Sequence, residues 1–215
     1  MHKRVFEGYR QIYLVALTSK PDSLSQWRAY CPRNGGYALG LPSKQLRYVG
    51  EEQGFYLAPC IYENSDQYNL VNGIIDSHLQ TFEEMVSKGT DVETARDAEV
   101  KGFAKDIAEY GPILKHRSFI EESEWRLVSK PKQIDDPNIG FHPGPHSVVA
   151  HYEFKLATST HPHLCVVGEQ DKSIVVRIGP TSDFTAASFA VQALLLRYIG
   201  PGCWHGQTDS TYRGY

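Results

Sequence analysis

Two carboxylates and a guanidinium recur at alternate positions in Ser118-Phe119-Ile120-Glu121-Glu122-Ser123-Glu124-Trp125-Arg126-Leu127. In an extended strand successive side chains leave opposite faces, so Glu122, Glu124 and Arg126 share one face while Ser123, Trp125 and Leu127 take the other. If Trp125 and Leu127 face a core, the three charged groups project together from the far side. Neighbouring carboxylates raise each other's proton affinity and Arg126 lowers it, a setting in which one carboxylate can act as acid or base or stabilise a developing cation. The same spacing also describes an ordinary solvated strand face with a salt-bridging arginine.

A second group lies near the amino terminus, in Leu24-Ser25-Gln26-Trp27-Arg28-Ala29-Tyr30 ahead of Gly35-Gly36 and Tyr37-Ala38-Leu39-Gly40-Leu41. It places a cation and two large aromatics just before a glycine turn, where backbone can approach a ligand closely. Arg28 could grip a phosphate or carboxylate in a bidentate fork while an aromatic stacks on a base or pyridine ring. Equally, Trp27 could be a core anchor with Arg28 in a local salt bridge. At the far end, Ser210-Thr211-Tyr212-Arg213 either closes over a ligand phosphate, through Ser210 and Arg213, or packs back on the sheet.

No metal is expected. His161-Pro162-His163 with Cys165, and Cys203-Trp204-His205, contain the right atoms for zinc but no Cys-x-x-Cys pair supports them. His142 and His146 fall in a Pro/Gly-rich stretch and read as surface residues. A Gly-x-Ser-x-Gly elbow and a Gly-x-x-x-x-Gly-Lys phosphate loop are both absent from the sequence.

The elements that must position these groups follow from periodicity. Ile12 to Leu17 reads as a strand. Asp22 or Ser23 caps a helical turn with Leu24, Trp27 and Arg28 on one side, the alternative being a strand with Gln26, Arg28 and Tyr30 on one face. Strands are expected up to Leu41 and from Phe55 to Tyr62, the latter at an edge or bulge because of Pro59. Residues 68 to 88 carry Val71, Ile74, Ile75, Leu79, Phe82, Met85 and Val86 at helical spacing, with Gly89 as the stop. Thr90-Asp91-Val92-Glu93 reads as a capping box opening a second helix, with Val100, Phe103, Ala104, Ile107 and Ala108 as its buried stripe and Gly111-Pro112 as its end. Further strands are expected at Glu124 to Ser129, Val148 to Leu156, Ile174 to Ile178 and about Cys203 to Ser210. A last helix runs from Thr181, Ser182 or Asp183 to Gly200-Pro201. Pro131 to Pro145 reads as loose. The pattern is α+β: a mixed or antiparallel sheet, an inserted helical pair over about residues 66–111, and a carboxy-terminal helix, in one domain spanning residues 1–215.

The chain has 215 residues, 41% of them hydrophobic, enough for a full core. A net charge of -3 gives no global basic field, so any nucleic-acid contact must be a local patch. Residues 76–124 hold 12 acidic and 6 basic side chains, as two exposed acidic helix faces would. The four cysteines, Cys31, Cys60, Cys165 and Cys203, are widely spaced, as reduced thiols are. With no signal peptide and no segment long and apolar enough to span a bilayer, a soluble cytoplasmic protein without membrane contact is expected.

The motifs at 24–30 and 118–127, with Tyr152-Glu153-Phe154-Lys155-Leu156, Ile174-Val175-Val176-Arg177-Ile178-Gly179-Pro180 and Ser210-Thr211-Tyr212-Arg213, resemble a widespread bacterial family known only as a domain of unknown function. Its members carry Leu-Ser-x-Trp-Arg-x-Tyr and Phe-x-x-Glu-x-Glu-Trp-Arg in that order. Related chains begin with a further strand and helix for which the residues before Ile12 leave no room, which implies a protein partner supplying that segment. An early arginine followed by a late Glu-x-Glu is more distantly similar to ADP-ribosyltransferase folds, which grip NAD in a cleft. That resemblance implies NAD as substrate, Arg28 on its ribose and phosphates, Glu124 on the nicotinamide ribose, Glu122 near a protein or nucleic-acid acceptor, and Tyr30 or Tyr37 near the nicotinamide. It implies bacterial defence or toxin activity. The competing reading is a non-catalytic domain that senses a nucleotide or a nucleic-acid end, or one half of a split enzyme.

Overall fold

A computed structural model describes residues 10–32, 35–157, 174–200 and 204–209. The elements are, in order, β1 (Arg10–Gln11), β2 (Leu14–Thr18), α1 (Leu24–Tyr30), β3 (Tyr37–Gly40), α2 (Ser43–Glu52), β4 (Phe55–Pro59), α3 (Asn64–Ser87) and α4 (Val92–Tyr110). Two 3-10 turns, Gly111–Ile113 and Arg117–Glu122, lead to β5 (Glu124–Ser129), β6 (Lys132–Gln133), β7 (Ile139–Pro143), β8 (Val148–Tyr152), β9 (Val175–Ile178), α5 (Phe184–Tyr198) and β10 (Trp204–Gln207). This is the α+β mixture expected. It forms two compact units, one holding residues up to Leu17 and Gly54–Glu153, the other Thr18–Gln53 and the chain from Phe154 onward.

The first unit is built on a sheet in the order β2-β5-β4. β4 runs antiparallel to β5 with Leu57 opposite Leu127 and Pro59 opposite Trp125, so the proline sits on an edge strand where a missing N–H costs no ladder bond. Phe55, Leu57, Leu127 and Val128 are buried there. The helical pair is a hairpin. Gly89, at φ +93°, ends α3, with Gly89 N–H donating to the Val86 carbonyl and Thr90 N–H to the Met85 carbonyl, the paired bonds that close a helix over a left-handed residue. The cap of α4 is Asp91, whose side chain accepts from Thr94 N–H, one residue later than the expected Thr90.

The stripe expected on α4 is mostly not buried: Val100, Ala104 and Ala108 are exposed, Phe103 and Ile107 half-buried, and Ala95 alone is fully covered. On α3 no residue is fully buried. Each helix of a two-helix hairpin covers only a narrow band of its partner, so a pattern wide enough for a three-sided core stays partly wet. Pro131 to Pro145 is likewise more ordered than its composition suggests, since β6 pairs with β1 and β7 pairs with β8.

The second unit carries the sheet β10-β9-β3. β9 and β10 are parallel and joined across α5, the kind of crossover that parallel neighbours require, while β3 is antiparallel to β9. Ile178, Val191 and Leu195 form its core with Val176, Phe184 and Ala187. Asp183 is the observed cap of α5, accepting from Ala186 N–H, and Gly200 at φ +103° ends it. Helix α2 has no counterpart in the sequence reading. Its buried face is only Leu46, Val49 and Gly50, a short band in an otherwise polar stretch. No described helix is long and apolar enough to cross a membrane.

Candidate functional site

Glu124 opens the central strand of the first unit and is only 5% exposed. The expected alternation fails just ahead of it. Ser123 adopts a left-handed conformation, φ +44°, so the chain turns there and Glu122 belongs to the preceding 3-10 turn rather than to the strand face. Nor is Glu124 on a solvated face: β5 is the middle strand, and from Leu127 to Ser129 every side chain is buried.

What collects around Glu124 is a closed ion network. Arg126 Nε donates to Glu124 Oε1 at 2.7 Å. Lys115 Nζ donates to Glu124 Oε2 and, at 2.5 Å, to Glu122 Oε2. Arg126 also donates through Nη1 to the Pro112 carbonyl. The strand start is pinned by Glu124 N–H donating to the Tyr62 hydroxyl at 2.8 Å and by Cys60 N–H donating to the Glu124 carbonyl at 2.9 Å. The Lys115 ammonium lies 4.9 Å from the Phe119 ring centroid, over its face.

The charges respond accordingly. Burial by itself would lift the Glu124 carboxyl, but the hydrogen bonds from Arg126 and Lys115 outweigh it and hold the group below the ordinary carboxylate range. Burial works against the charged forms of Lys115 and Arg126 as well, yet their carboxylate partners push both above their usual values. The Cys60 thiol, buried beside the network, is raised chiefly by desolvation and so is not a poised thiolate. Glu124 is therefore ionised, fixed and fully paired.

Lys115 was not singled out in the sequence, and neither were Tyr62 or Cys60. Lys115 is delivered by a short parallel bridge in which Ile61 pairs with Leu114, Ile61 N–H donates to the Ile113 carbonyl and Lys115 N–H donates to the Ile61 carbonyl. Gln67 clamps the same bridge by donating to the carbonyls of Ile61 and Lys115. A lone lysine after two apolar residues carries no sequence signal of this role.

In the second unit, α1 forms as the helical alternative required. Trp27 is 7% exposed and is a core anchor. A Cβ at Gly179 would lie 2.6 Å from its ring, so the bare backbone there makes room for the indole, and Gly179 N–H donates to the Gly36 carbonyl at 2.9 Å. The indole N–H donates to Asp22 at 2.6 Å. Asp22 also accepts from the Thr208 hydroxyl, from Asp209 N–H at 2.7 Å and from Arg177 Nη1 at 3.2 Å. It is thus the hub of the unit rather than the cap of α1, which is Ser23. Burial opposes its charge, and the Thr208 and Trp27 hydrogen bonds prevail to keep its carboxyl low.

Arg28 is exposed and makes no hydrogen bond or ion pair among the described residues. The helix separates it from Tyr30: at roughly 100° per residue the two lie about 200° apart around α1, and Leu24, not Tyr30, shares the Arg28 side. Tyr30 and Tyr37 are themselves well exposed, at 71% and 60%. Of the remaining candidates, Ser210 and Arg213 lie outside the described residues, as do His161, His163, Cys165 and Cys203. No group of three or more His, Cys, Asp or Glu side chains that could hold a metal ion is present among the described residues.

No curated protein and no solved structure matches the chain. Over residues 26–127, the stretch that holds both Arg28 and Glu124, the chain matches the family described as protein of unknown function (DUF2971).

Proposed function

We propose that this chain is a binding module for a phosphate-bearing ligand of the nucleotide class, with the Arg28 guanidinium as the contact for the ligand's anionic phosphate and without transfer chemistry at Glu124. The observation that carries the reading is an asymmetry of pairing. Both oxygens of Glu124 are held by cations, whereas the Arg28 guanidinium stands exposed on a helix fixed by a buried tryptophan. Stabilising an oxocarbenium-like sugar needs a carboxylate whose field is not already cancelled by adjacent cations. Binding a phosphate needs a free, planar donor on a rigid support, which Arg28 supplies. The exposed ring of Tyr37 is a surface of the same unit on which a base or nicotinamide could stack.

NAD is the first ligand to try, because the transferase resemblance implies it, with ATP and a short single-stranded oligonucleotide beside it. Calorimetric titration of the full chain is expected to show one of these binding, and Arg28→Ala is expected to weaken it about tenfold or more, as loss of a charge-assisted contact of about 1.5–3 kcal/mol requires. Equal binding by wild type and Arg28→Ala, or no binding of any of the three, overturns the reading.

A further inference from the structure

The β7–β8 hairpin holds a feature that the phosphate-binding reading does not use. Gly140 lies opposite His151 and His142 opposite Val149, so His142 and His151 are diagonal neighbours on one face of the ribbon. Their Nδ1 atoms converge to 3.1 Å, with ring centroids 5.0 Å apart and planes at 53°. Metal–imidazole bonds of about 2.0–2.1 Å place two ligand nitrogens roughly 2.9–3.4 Å apart for bond angles between square-planar and tetrahedral values. The observed separation falls inside that interval.

The other side of the His151 ring is arranged as well. A Cβ on Gly140 would lie 2.8 Å from His151 Nε2 and 3.0 Å from Glu153 Oε1, so the glycine leaves one open point flanked by that ring nitrogen and a carboxylate. Glu153 N–H donates to the Asn138 carbonyl at 2.8 Å, which continues the strand pairing and fixes the residue on the His151 face.

We propose that His142 and His151 form a two-nitrogen site for a borderline divalent transition-metal ion, copper, nickel or zinc, with Gly140 leaving the room that the His151 ring needs. Each imidazole binds as the neutral form with its proton on Nε2, so the one that holds a proton on Nδ1 in the free pair moves it to Nε2 and no net proton leaves. Two protein ligands leave the remaining positions to water or to an oxygen or nitrogen donor from a bound molecule, which makes the site open rather than structural.

The test is titration of the full-length protein with copper(II), nickel(II) and zinc(II) chloride, by calorimetry and, for copper, by electron paramagnetic resonance. Wild type is expected to take up one tight equivalent with two-nitrogen character. His142→Gln and His151→Gln should each remove that equivalent. Gly140→Ala, which forces a methyl group into the His151 ring, should weaken it, and circular dichroism keeps loss of fold distinct from loss of site. The proposal fails if wild type binds none of the three ions, or if both glutamine variants keep the same stoichiometry and affinity.

Discussion

Replacing Lys115 with methionine keeps most of the side-chain volume and removes one charge, which isolates what the ammonium does for the network around Glu124. In the native protein that ammonium serves two carboxylates, Glu122 and Glu124, and lies over the Phe119 ring. Its loss takes the Lys115 cation away from the half-buried Glu122 and leaves the buried Glu124 with Arg126 as its cationic partner. Breaking a buried pair costs about 3–5 kcal/mol, and the surviving Arg126 bond puts this case at the lower end, about 3 kcal/mol. For a chain of this size 1 kcal/mol moves the melting temperature by about 2–4 °C, so Lys115→Met should melt about 6–12 °C lower than wild type in a calorimetric scan at neutral pH. Arg96→Ala is the control, because the Arg96–Asp97 pair is exposed on both sides and should matter by less than about 0.5 kcal/mol. The direction with pH is also fixed. The Glu124 carboxyl is held below its unfolded value, so its contribution is complete above about pH 4.3 and is lost as the pH falls through the lower folded value. A shift for Lys115→Met no larger than that of Arg96→Ala would refute the network as a source of stability.

His78 gives an opposite pH dependence. Its Nδ1 lies 2.6 Å from Glu99 and its Nε2 3.2 Å from Asp106, both on α4, and the Glu99 hydrogen bond is the main cause of its raised affinity for a proton. The clamp it makes between α3 and α4 is complete below about pH 6.5 and fades as the pH rises through the raised folded value, so amide protection in the hairpin, taken relative to the intrinsic base-catalysed rate, should fall over that range and His78→Gln should abolish that fall. Trp27→Ala should cost about 3–5 kcal/mol by thermal melting, as large buried truncations do, and Gly179→Ala should also destabilise because the added methyl meets the indole at 2.6 Å. Spectrophotometric titration should find Tyr56 ionising among the last tyrosines, since burial first, and then Glu109 and Tyr110, push it up to about 12, and its hydroxyl donates to the Glu109 carbonyl.

What could be read from the sequence was whatever repeats at a fixed local period. The helical hairpin, the caps near residues 90 and 183, the glycine stops at 89 and 200, and the edge placement implied by Pro59 all follow from neighbours within a few positions, and all are present. The site was legible only in part. Helical spacing groups Leu24, Trp27 and Arg28 on one side, yet in α1 Trp27 is buried and Arg28 exposed, because neighbours about 100° apart straddle the edge of the buried face. Ser123 broke the alternation that seemed to align Glu122 with Glu124, and a serine in a left-handed turn has no warning in its sequence context. Lys115 meets its partners 7 and 9 residues later across a 3-10 turn. Asp22 reaches residues 155 and 186 positions away, so its place at the centre of the second unit depends on sheet order, which local pattern does not encode.

The central claim is recognition of a phosphate-bearing nucleotide by Arg28 without chemistry at Glu124. The most direct measurement uses NAD labelled in its nicotinamide ring, incubated with the full chain and with Arg28→Ala and Glu124→Gln, counting retained and released label separately. The account predicts intact label retained by wild type and Glu124→Gln, little retained by Arg28→Ala, and no free nicotinamide above the protein-free control. Free nicotinamide produced by wild type and abolished in Glu124→Gln would contradict it.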